Sequence, residues 1–190
     1  IPIEVPPGRR GIQPSLTLGY ASGSGNEWVG VGWNLNLGFI QRDTTKGVPT
    51  YAASDTFVFS VNGANDQLIS IGAGEYRAEV EGAFLRVQFD GVSWRITDKS
   101  GTQYRFGFNP DSRQTIPGKG VFRWALDRME DVHGNYLTVT YTTFGNQLYP
   151  TQVSYTGNSQ TADPAHMAVE FALEDRPDPV VSYRSGGLVE

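Results

Sequence analysis

Cysteine is absent from the chain, which excludes a disulfide framework, a thiolate metal site and a thiol nucleophile, and leaves burial and hydrogen bonding to hold the fold. Histidine is almost as scarce: His133 and His166 are the only two. No apolar run approaches the ~20 residues of a spanning helix, so membrane insertion by this segment is not expected. Positive charge is also short. Lys and Arg number 15 against 20 Asp and Glu, for a net charge of −5, and the basic residues are scattered rather than grouped. That pattern lacks the footprint a phosphate backbone needs, and nucleic acid is not an expected partner. There is no Asn-x-Ser/Thr sequon. The chain opens Ile1-Pro2-Ile3 rather than with a methionine and a leader pattern, and we expect it to be a piece of a longer polypeptide.

Glycine and aromatic residues are abundant instead. Glycine accounts for 23 of 190 residues against a usual ~7%, and aromatics for 12%, a mixture that favours short strands and turns over helices. The stretch from Gln13 to Arg42 shows the pattern most compactly. Leu16, Leu18 and Tyr20 alternate with Ser15, Thr17 and Gly19, and Trp33, Leu35, Leu37 and Phe39 alternate with Asn34, Asn36 and Gly38. Each run has the period of two of a strand with one buried face. Between them Ser22–Gly32 carries glycines that allow backbone conformations a Cβ would forbid.

These residues also carry a resemblance. Pro7-Gly8-Arg9, Gly11, Pro14-Ser15-Leu16, Tyr20, Gly25-Asn26, Gly30-Val31-Gly32-Trp33-Asn34-Leu35, Ile40, Arg42, Lys46-Gly47-Val48-Pro49, Tyr51 and Asp55-Thr56-Phe57 resemble the N-terminal domain shared by SpvB and the B components of Tc insecticidal toxins. The likeness resumes at Trp124-Ala125-Leu126, Asp131, Gly134-Asn135 and Tyr141, and again at Val169-Glu170-Phe171 and Asp175-Arg176-Pro177-Asp178, so it runs in order over nearly the whole chain. That family stands at the front of RHS/YD-repeat proteins.

Along the chain, Ile1–Pro7 is expected to be an extended lead-in, lying along an edge or entering from a preceding segment, because Pro2, Pro6 and Pro7 cannot donate to a ladder. Asp43–Asp55 is expected to be loop. Phe57, Phe59 and Val61 mark a strand ending in the turn formers Asn62-Gly63 and Asn65-Asp66, with Leu68, Ile69 and Ile71 returning. Ala83, Leu85, Val87 and Phe89 share a face, and Asp90-Gly91 is expected to form a two-residue type I′ turn leading into Trp94 and Ile96. Asp98-Lys99-Ser100-Gly101 suits a type I turn with Asp first and Gly last. Tyr104, Phe106 and Phe108 follow, then an expected loop over Asn109–Gly120. Phe122, Trp124 and Leu126 lead into Asp131-Val132-His133-Gly134, a second Asp-x-x-Gly turn 33 positions after the first, with Leu137, Val139 and Tyr141 on the way back. A hairpin closed by such a turn is similar to the YD-repeat unit, although two copies do not establish an array. Val153–Tyr155 and Ala168–Leu173 are read as further short strands, Gly157–Pro164 as a loop, and Val180, Val181 and Tyr183 as a last segment.

The raw material for chemistry is thin. His133 lies within a turn beside Asp131, and His166 has no acidic or histidine partner at metal-ligand spacing. An ADP-ribosyltransferase set of an arginine, a Ser/Thr strand and a Glu-x-Glu pair is matched in order by Arg10, Ser15-Leu16-Thr17 and Glu79-Val80-Glu81. The match is poor, since Glu-x-Glu arises by chance and Ser15 and Thr17 already face outward on a strand. Asn62, Asn65 and Asp66 are oxygen donors in one turn, but the Asp-rich calcium loop is missing, and a turn satisfying its own backbone accounts for them. Trp33, Trp94 and Trp124 fall on apolar phases, where a ring fills a core and donates one hydrogen bond. Trp28, in the glycine-rich loop, is the candidate ligand or partner contact, with packing under the loop as its simpler role.

The expectations are therefore an all-β domain over residues 1–190, of antiparallel hairpins and meanders with eight to twelve strands, forming part of an open β shell or sandwich and cut short at its C-terminal end. No catalysis, cofactor or metal is expected. The resemblance implies a structural part of a secreted toxin polypeptide, a β shell that holds a C-terminal toxic segment. It also implies partners among other segments of the same polypeptide or complex, and unpaired strand edges are expected to bind such segments or to self-associate. The residues of the family motif, Gly25, Asn26, Gly30, Gly32, Trp33, Arg42, Trp124, Asp131, Gly134 and Asn135, are given structural roles on that basis. An extracellular adhesion or glycan-binding module is the alternative from another class, and a glycan array with Trp28→Ala as control separates the two.

Overall fold

The computed structural model describes residues 1–22, 26–80, 82, 84–175 and 181–189. Among these residues there are seventeen strands and a single helix, the 3-10 turn Pro110–Ser112, so the all-β expectation holds. The strand count exceeds the expected eight to twelve because several strands are only two or three residues long. Near the N-terminus lie β1 (Pro2–Ile3), β2 (Leu16–Tyr20), β3 (Asn26–Glu27), β4 (Gly30–Val31) and β5 (Trp33–Leu35). A meander follows: β6 (Phe39–Arg42), β7 (Phe57–Val61), β8 (Ala64–Gly72), β9 (Glu75–Ala78), β10 (Arg86–Phe89), β11 (Trp94–Thr97) and β12 (Gln103–Phe106). The chain ends with β13 (Arg113–Ile116), β14 (Gly120–Glu130), β15 (Asn135–Phe144), β16 (Gln147–Asn158) and β17 (Met167–Glu170).

Every successive pair from β6 to β12 is antiparallel, and β14 then pairs with both ends of the run, through Arg123–Ala125 to β6 and through Leu126–Glu130 to β12. Eight strands thereby close into a barrel, a size whose interior side chains just fill. The closure was not disclosed by the strand pattern. Inside are Ile40, Phe57, Phe59, Val87, Trp94 and Phe106, all nearly or wholly buried. Phe89 stacks on Trp94 at 4.4 Å, and Phe57 meets Trp94 edge-on at 4.9 Å and Trp124 at 5.9 Å. Such pairs add about 0.5–1.5 kcal/mol each beyond the area they bury.

Strand β14 is longer than the barrel needs. Its last residues also pair with β15, and the sheet continues through β16 to β17. Leu137, Val139, Val153 and Tyr155 make a second core on this extension, capped by Ile12 of the N-terminal segment. The lead-in runs along an edge as expected, with β1 pairing to β2 in a three-stranded sheet completed by β5, and the Tyr155 hydroxyl donates to the carbonyl of Pro6.

Several local expectations are corrected. The run from Trp33 to Phe39 is two strands rather than one. Gly38, with φ 110°, sits at the break and donates its N–H to Asn36 Oδ1, and the inward phase then shifts from Phe39 to the fully buried Ile40. Tyr20 is 63% exposed and meets Trp33 at 5.1 Å, so the two rings cover each other at the end of a small sheet instead of entering a core. Asn65 and Asp66 belong to β8, paired with Ser60 and Phe59, and the turn is confined to Asn62-Gly63. The β10–β11 connection centres on Gly91-Val92. Asp90 donates its N–H to the carbonyl of Ser93, and Gly91 has a positive φ of 95° while Val92 does not, the pattern of a II′ turn rather than I′.

The expected loop over Asn109–Gly120 hides β13, whose polar Gln114 is buried because its amide donates to the carbonyl of Asn146. Val153–Tyr155 is the middle of the twelve-residue β16, which also takes in Gly157 and Asn158, and Ala168–Leu173 is strand only as far as Glu170. Ala83 and Val180 lie outside the described residues.

Candidate functional site

The two Asp-x-x-Gly corners are built alike. In the first, the Asp98 carbonyl accepts from Gly101 N–H, while Asp98 Oδ1 accepts from the N–H groups of Ser100 and Thr102. In the second, the Asp131 carbonyl accepts from Gly134 N–H, Asp131 Oδ1 from the N–H groups of His133 and Asn135, and Asp131 Oδ2 from the Asn135 amide. The expected turns are thus present, with Gly101 at φ 83° and Gly134 at φ 76°. The hairpins they close are neighbours in the sheet, Tyr104 facing Met129, and a β-carbon on Gly101 would lie 2.6 Å from Val132 of the other corner. Burial opposes ionisation of both carboxylates, but their hydrogen bonds outweigh it and hold both below the usual range.

The second corner is tied further. Asn158 donates from its amide to the Asn135 side-chain oxygen and to the His133 carbonyl, and accepts from the N–H groups of Gln160 and Thr161. Asn135 and Asn158 are buried, so this relay fixes β16 against the corner through satisfied polar groups. The tie of Asn158 to the corner was not legible in the sequence, because Asn135 and His133 lie 23 and 25 positions from it.

Arg42 occupies the barrel seam. Its Nη1 donates to Asp55 Oδ2 at 2.7 Å and its Nε to the carbonyl of Val121 at 2.9 Å, while its guanidinium carbon lies 4.8 Å from the Tyr51 ring centre and 5.4 Å from that of Phe57. Asp55 also accepts from Thr50 and Tyr51 N–H and from the Thr50 hydroxyl, and these bonds with Arg42 overcome burial to lower its pKa. Trp124 is buried and donates to the carbonyl of Val92. Trp94, expected to donate likewise, has a buried Nε1 without a hydrogen-bond partner, and Trp33 is only half-buried. Gly32 has φ 75°, and a β-carbon there would meet the Tyr20 ring at 2.8 Å. Gly30 (φ 130°) and Asn26 pair with Glu27 and Val31 in the β3–β4 ladder. Gly25 lies outside the described residues.

The candidates for chemistry are dispersed. Arg10 is exposed in the turn before Ile12, Ser15 and Thr17 are exposed beside and on β2, and Glu79 is exposed after β9 in the other sheet, while Glu81 lies outside the described residues. Asn62 spends its amide on the Tyr104 hydroxyl, and Asp66 accepts from Gln67 and Val80 N–H, so Asn62, Asn65 and Asp66 are engaged with their own fold. His166, expected to lack an acidic partner, bonds Asp163 Oδ1 at 2.8 Å because the turn after Asn158 folds Asp163 back, and Asp163 also pairs with Arg9. Among the described residues no three His, Asp or Glu side chains come together as a metal ligand set. Trp28 is half-buried with its ring edge-on to Phe171 at 5.9 Å. An open hollow of about 410 Å³ is flanked by Phe59, Ala64, Asp66, Ala78, Val80 and Phe84.

A family model for SpvB, the Salmonella virulence plasmid 65kDa B protein, matches residues 1–171. Curated relatives include the mono(ADP-ribosyl)transferase SpvB of Salmonella choleraesuis (strain SC-B67) and that of Salmonella typhimurium. Each is 26% identical over 161 residues and is matched over 70% of this chain but 27% of its own length. The chain thus spans about a quarter of the length of the curated relatives it matches. Among solved structures, the N-terminal domain of effector protein SpvB from Salmonella typhimurium strain LT2 superposes with a TM-score of 0.80 at 20% identity, over 100% of this chain and 83% of that one. The TcdB2-TccC3-Cdc42 crystal structure gives 0.77 at 22% identity, over 100% of this chain and 12% of that one. The Photorhabdus luminescens Tc holotoxin pore gives 0.70 at 22% identity, over 93% and 11%. At these identities the likeness is one of fold.

Proposed function

The chain belongs to the SpvB family of virulence plasmid proteins, and on that premise we propose that residues 1–190 are a single non-catalytic β domain of a toxin polypeptide that acts outside the producing cell. In this reading the domain contributes wall to a β shell around a C-terminal toxic segment and helps deliver it. Its partners are neighbouring segments of the same polypeptide or complex. The motif residues Gly25, Asn26, Gly30, Gly32, Trp33, Arg42, Trp124, Asp131, Gly134 and Asn135 serve corners and seams and take no part in a reaction.

The observation that carries the reading is the double use of β14. One strand closes the barrel and starts an extension whose last strand, β17, has no partner on its outer side among the described residues. A barrel by itself has no edges, whereas this arrangement leaves one ladder open to continue. An open antiparallel edge accepts another strand through main-chain hydrogen bonds. The dispersal of Arg10, Ser15, Thr17 and Glu79 supports the absence of transfer chemistry in this part of the molecule.

The test uses the full-length parent polypeptide. Phe171 N–H donates to the Thr151 carbonyl, so in the same register the N–H of Val169 faces β16 and the N–H of Ala168 faces outward. Ala168→Pro removes that edge N–H and should leave the barrel folded while exposing the C-terminal segment to trypsin. Unchanged protease resistance would contradict a wall continued through β17. In parallel, this chain incubated with NAD and a protein acceptor should transfer no ADP-ribose. Transfer abolished by Glu79→Gln would overturn the non-catalytic assignment.

A further inference from the structure

The basic residues that are scattered in sequence are not scattered in the sheet. Arg95 on β11 faces Arg105 on β12, and Arg105 faces Arg128 on β14, so three guanidinium side chains stand in one cross-strand row. Directly opposed side chains start about 5 Å apart, and like charges in such positions repel. In a chain whose net charge is −5, that row is a local reversal of sign.

The acids around the row do not neutralise it. Arg128 is matched, donating from Nε and Nη2 to Glu130 at 2.8 Å with its guanidinium 3.9 Å from the centre of the Tyr136 ring. Arg105 has only Asp127, the extra residue of a bulge in β14, and its Nε stands 4.0 Å from Asp127 Oδ1, beyond hydrogen-bond reach. Asp127 spends its other oxygen on Asn109 N–H and the Ser112 hydroxyl, and the Arg105 Nε is left buried without a partner. Burial pushes the Asp127 pKa up, and its hydrogen bonds and the Arg105 charge only partly offset this. Arg95 is exposed and has no ion pair among the described residues. At the far end of the row Glu75 is already taken by Arg86 and Gln88. Beneath the unmatched pair lies the Phe108 ring, with the Arg105 guanidinium 4.5 Å and the Arg95 guanidinium 5.6 Å from its centre.

We propose that Arg95, Arg105 and Phe108 form a shelf on the outside of the barrel that docks a short acidic segment of a partner protein. Planar guanidiniums take carboxylates two-pronged, and a ring beneath them holds the forks in place. A short segment fits better than a nucleic-acid backbone. The unmatched row is two residues long, and on either side of it the Glu75–Arg86 and Glu130–Arg128 pairs are already neutralised, so no run of unmatched positive charge continues for a phosphate chain to follow. The inference stands on register and charge, independently of the shell reading.

The test is fluorescence anisotropy of a fluorescein-labelled octaglutamate peptide titrated with the whole chain, with octaglutamine and octathymidylate as comparison probes. Saturable octaglutamate binding is expected, weakening as NaCl rises from about 50 to about 300 mM. Arg95→Gln should weaken it about tenfold, with much of the binding retained by Arg95→Lys. Arg95 is exposed, so the Gln variant should keep the wild-type circular dichroism, whereas Arg105→Gln, which should weaken binding similarly, is the variant whose folding needs checking. Absence of octaglutamate binding, or binding indifferent to Arg95→Gln, would overturn the proposal. So would tighter binding of octathymidylate through the same arginines, which would make the partner a phosphate chain. A dimer in sedimentation velocity that is abolished by Arg95→Gln would also overturn it, in favour of a second copy.

Discussion

Arg42 and Asp55 form an ion pair at 2.7 Å in which the two side chains are 14% and 8% exposed, and the same arginine holds the carbonyl of Val121 on β14. One side chain therefore joins the loop over residues 43–55 to the strand that closes the barrel. Removing either partner leaves the other charge buried, which typically costs about 3–5 kcal/mol. Arg42→Met and Asp55→Asn should each lower the urea midpoint by an amount corresponding to about 3 kcal/mol or more. A loss below about 1 kcal/mol would show that the pair behaves as a solvated surface bridge.

The corner carboxylates contribute to the acid limb of stability. Asp98 and Asp131 have folded pKa values below their ordinary 3.8. Their contribution is therefore fully present above about pH 4 and is lost as pH falls through the lower folded values. Asp98→Ala and Asp131→Ala should each cost about 1–3 kcal/mol at neutral pH and make the loss of stability as pH falls below about 4 shallower. Denaturant titrations at several pH values check this, and an unchanged acid limb in both variants would contradict it.

Asp127 has the opposite sign. Its folded pKa is raised, so its ionised form weighs against the folded state, and protonation relieves this as pH falls through the folded value. Asp127→Asn, which keeps an acceptor for Asn109 and Ser112, should compare better with wild type at pH 7 than at pH 4. Unfolding free energies at the two pH values decide, and an equal difference at both would show that Asp127 ionises without penalty.

Two glycines with the same φ of 71° separate backbone strain from collision. A β-carbon on Gly118 would meet nothing within 4 Å, whereas one on Gly107 would lie 2.3 Å from Trp124 Cδ1. Gly118→Ala should cost about 1–2 kcal/mol, the left-handed backbone penalty alone. Gly107→Ala should cost about 1–3 kcal/mol more and shift the tryptophan emission. Equal losses would mean that the Trp124 side chain yields freely.

What was legible in the sequence follows the range of the interactions involved. The hairpins and the Asp-x-x-Gly corners were visible because the backbone N–H groups that Asp98 and Asp131 accept from lie within four residues. The break at Gly38 was not, because Asn36 and Gly38 fit the alternating pattern and only their turn geometry shifts the phase to Ile40. Strand β13 was hidden among polar and proline residues, since Gln114 is held inside by a carbonyl 32 positions away. Barrel closure and the row Arg95–Arg105–Arg128 depend on which strands pair and in what register, and no local pattern of residues encodes that.

The central claim, that these strands make wall which continues through β17, is tested most directly by hydrogen–deuterium exchange at the amides of Met167–Glu170, compared between this chain alone and the full-length parent polypeptide. The account predicts slower exchange in the parent, with the barrel amides of Trp94–Thr97 equally protected in both. Equal exchange of Met167–Glu170 in the two forms would contradict it.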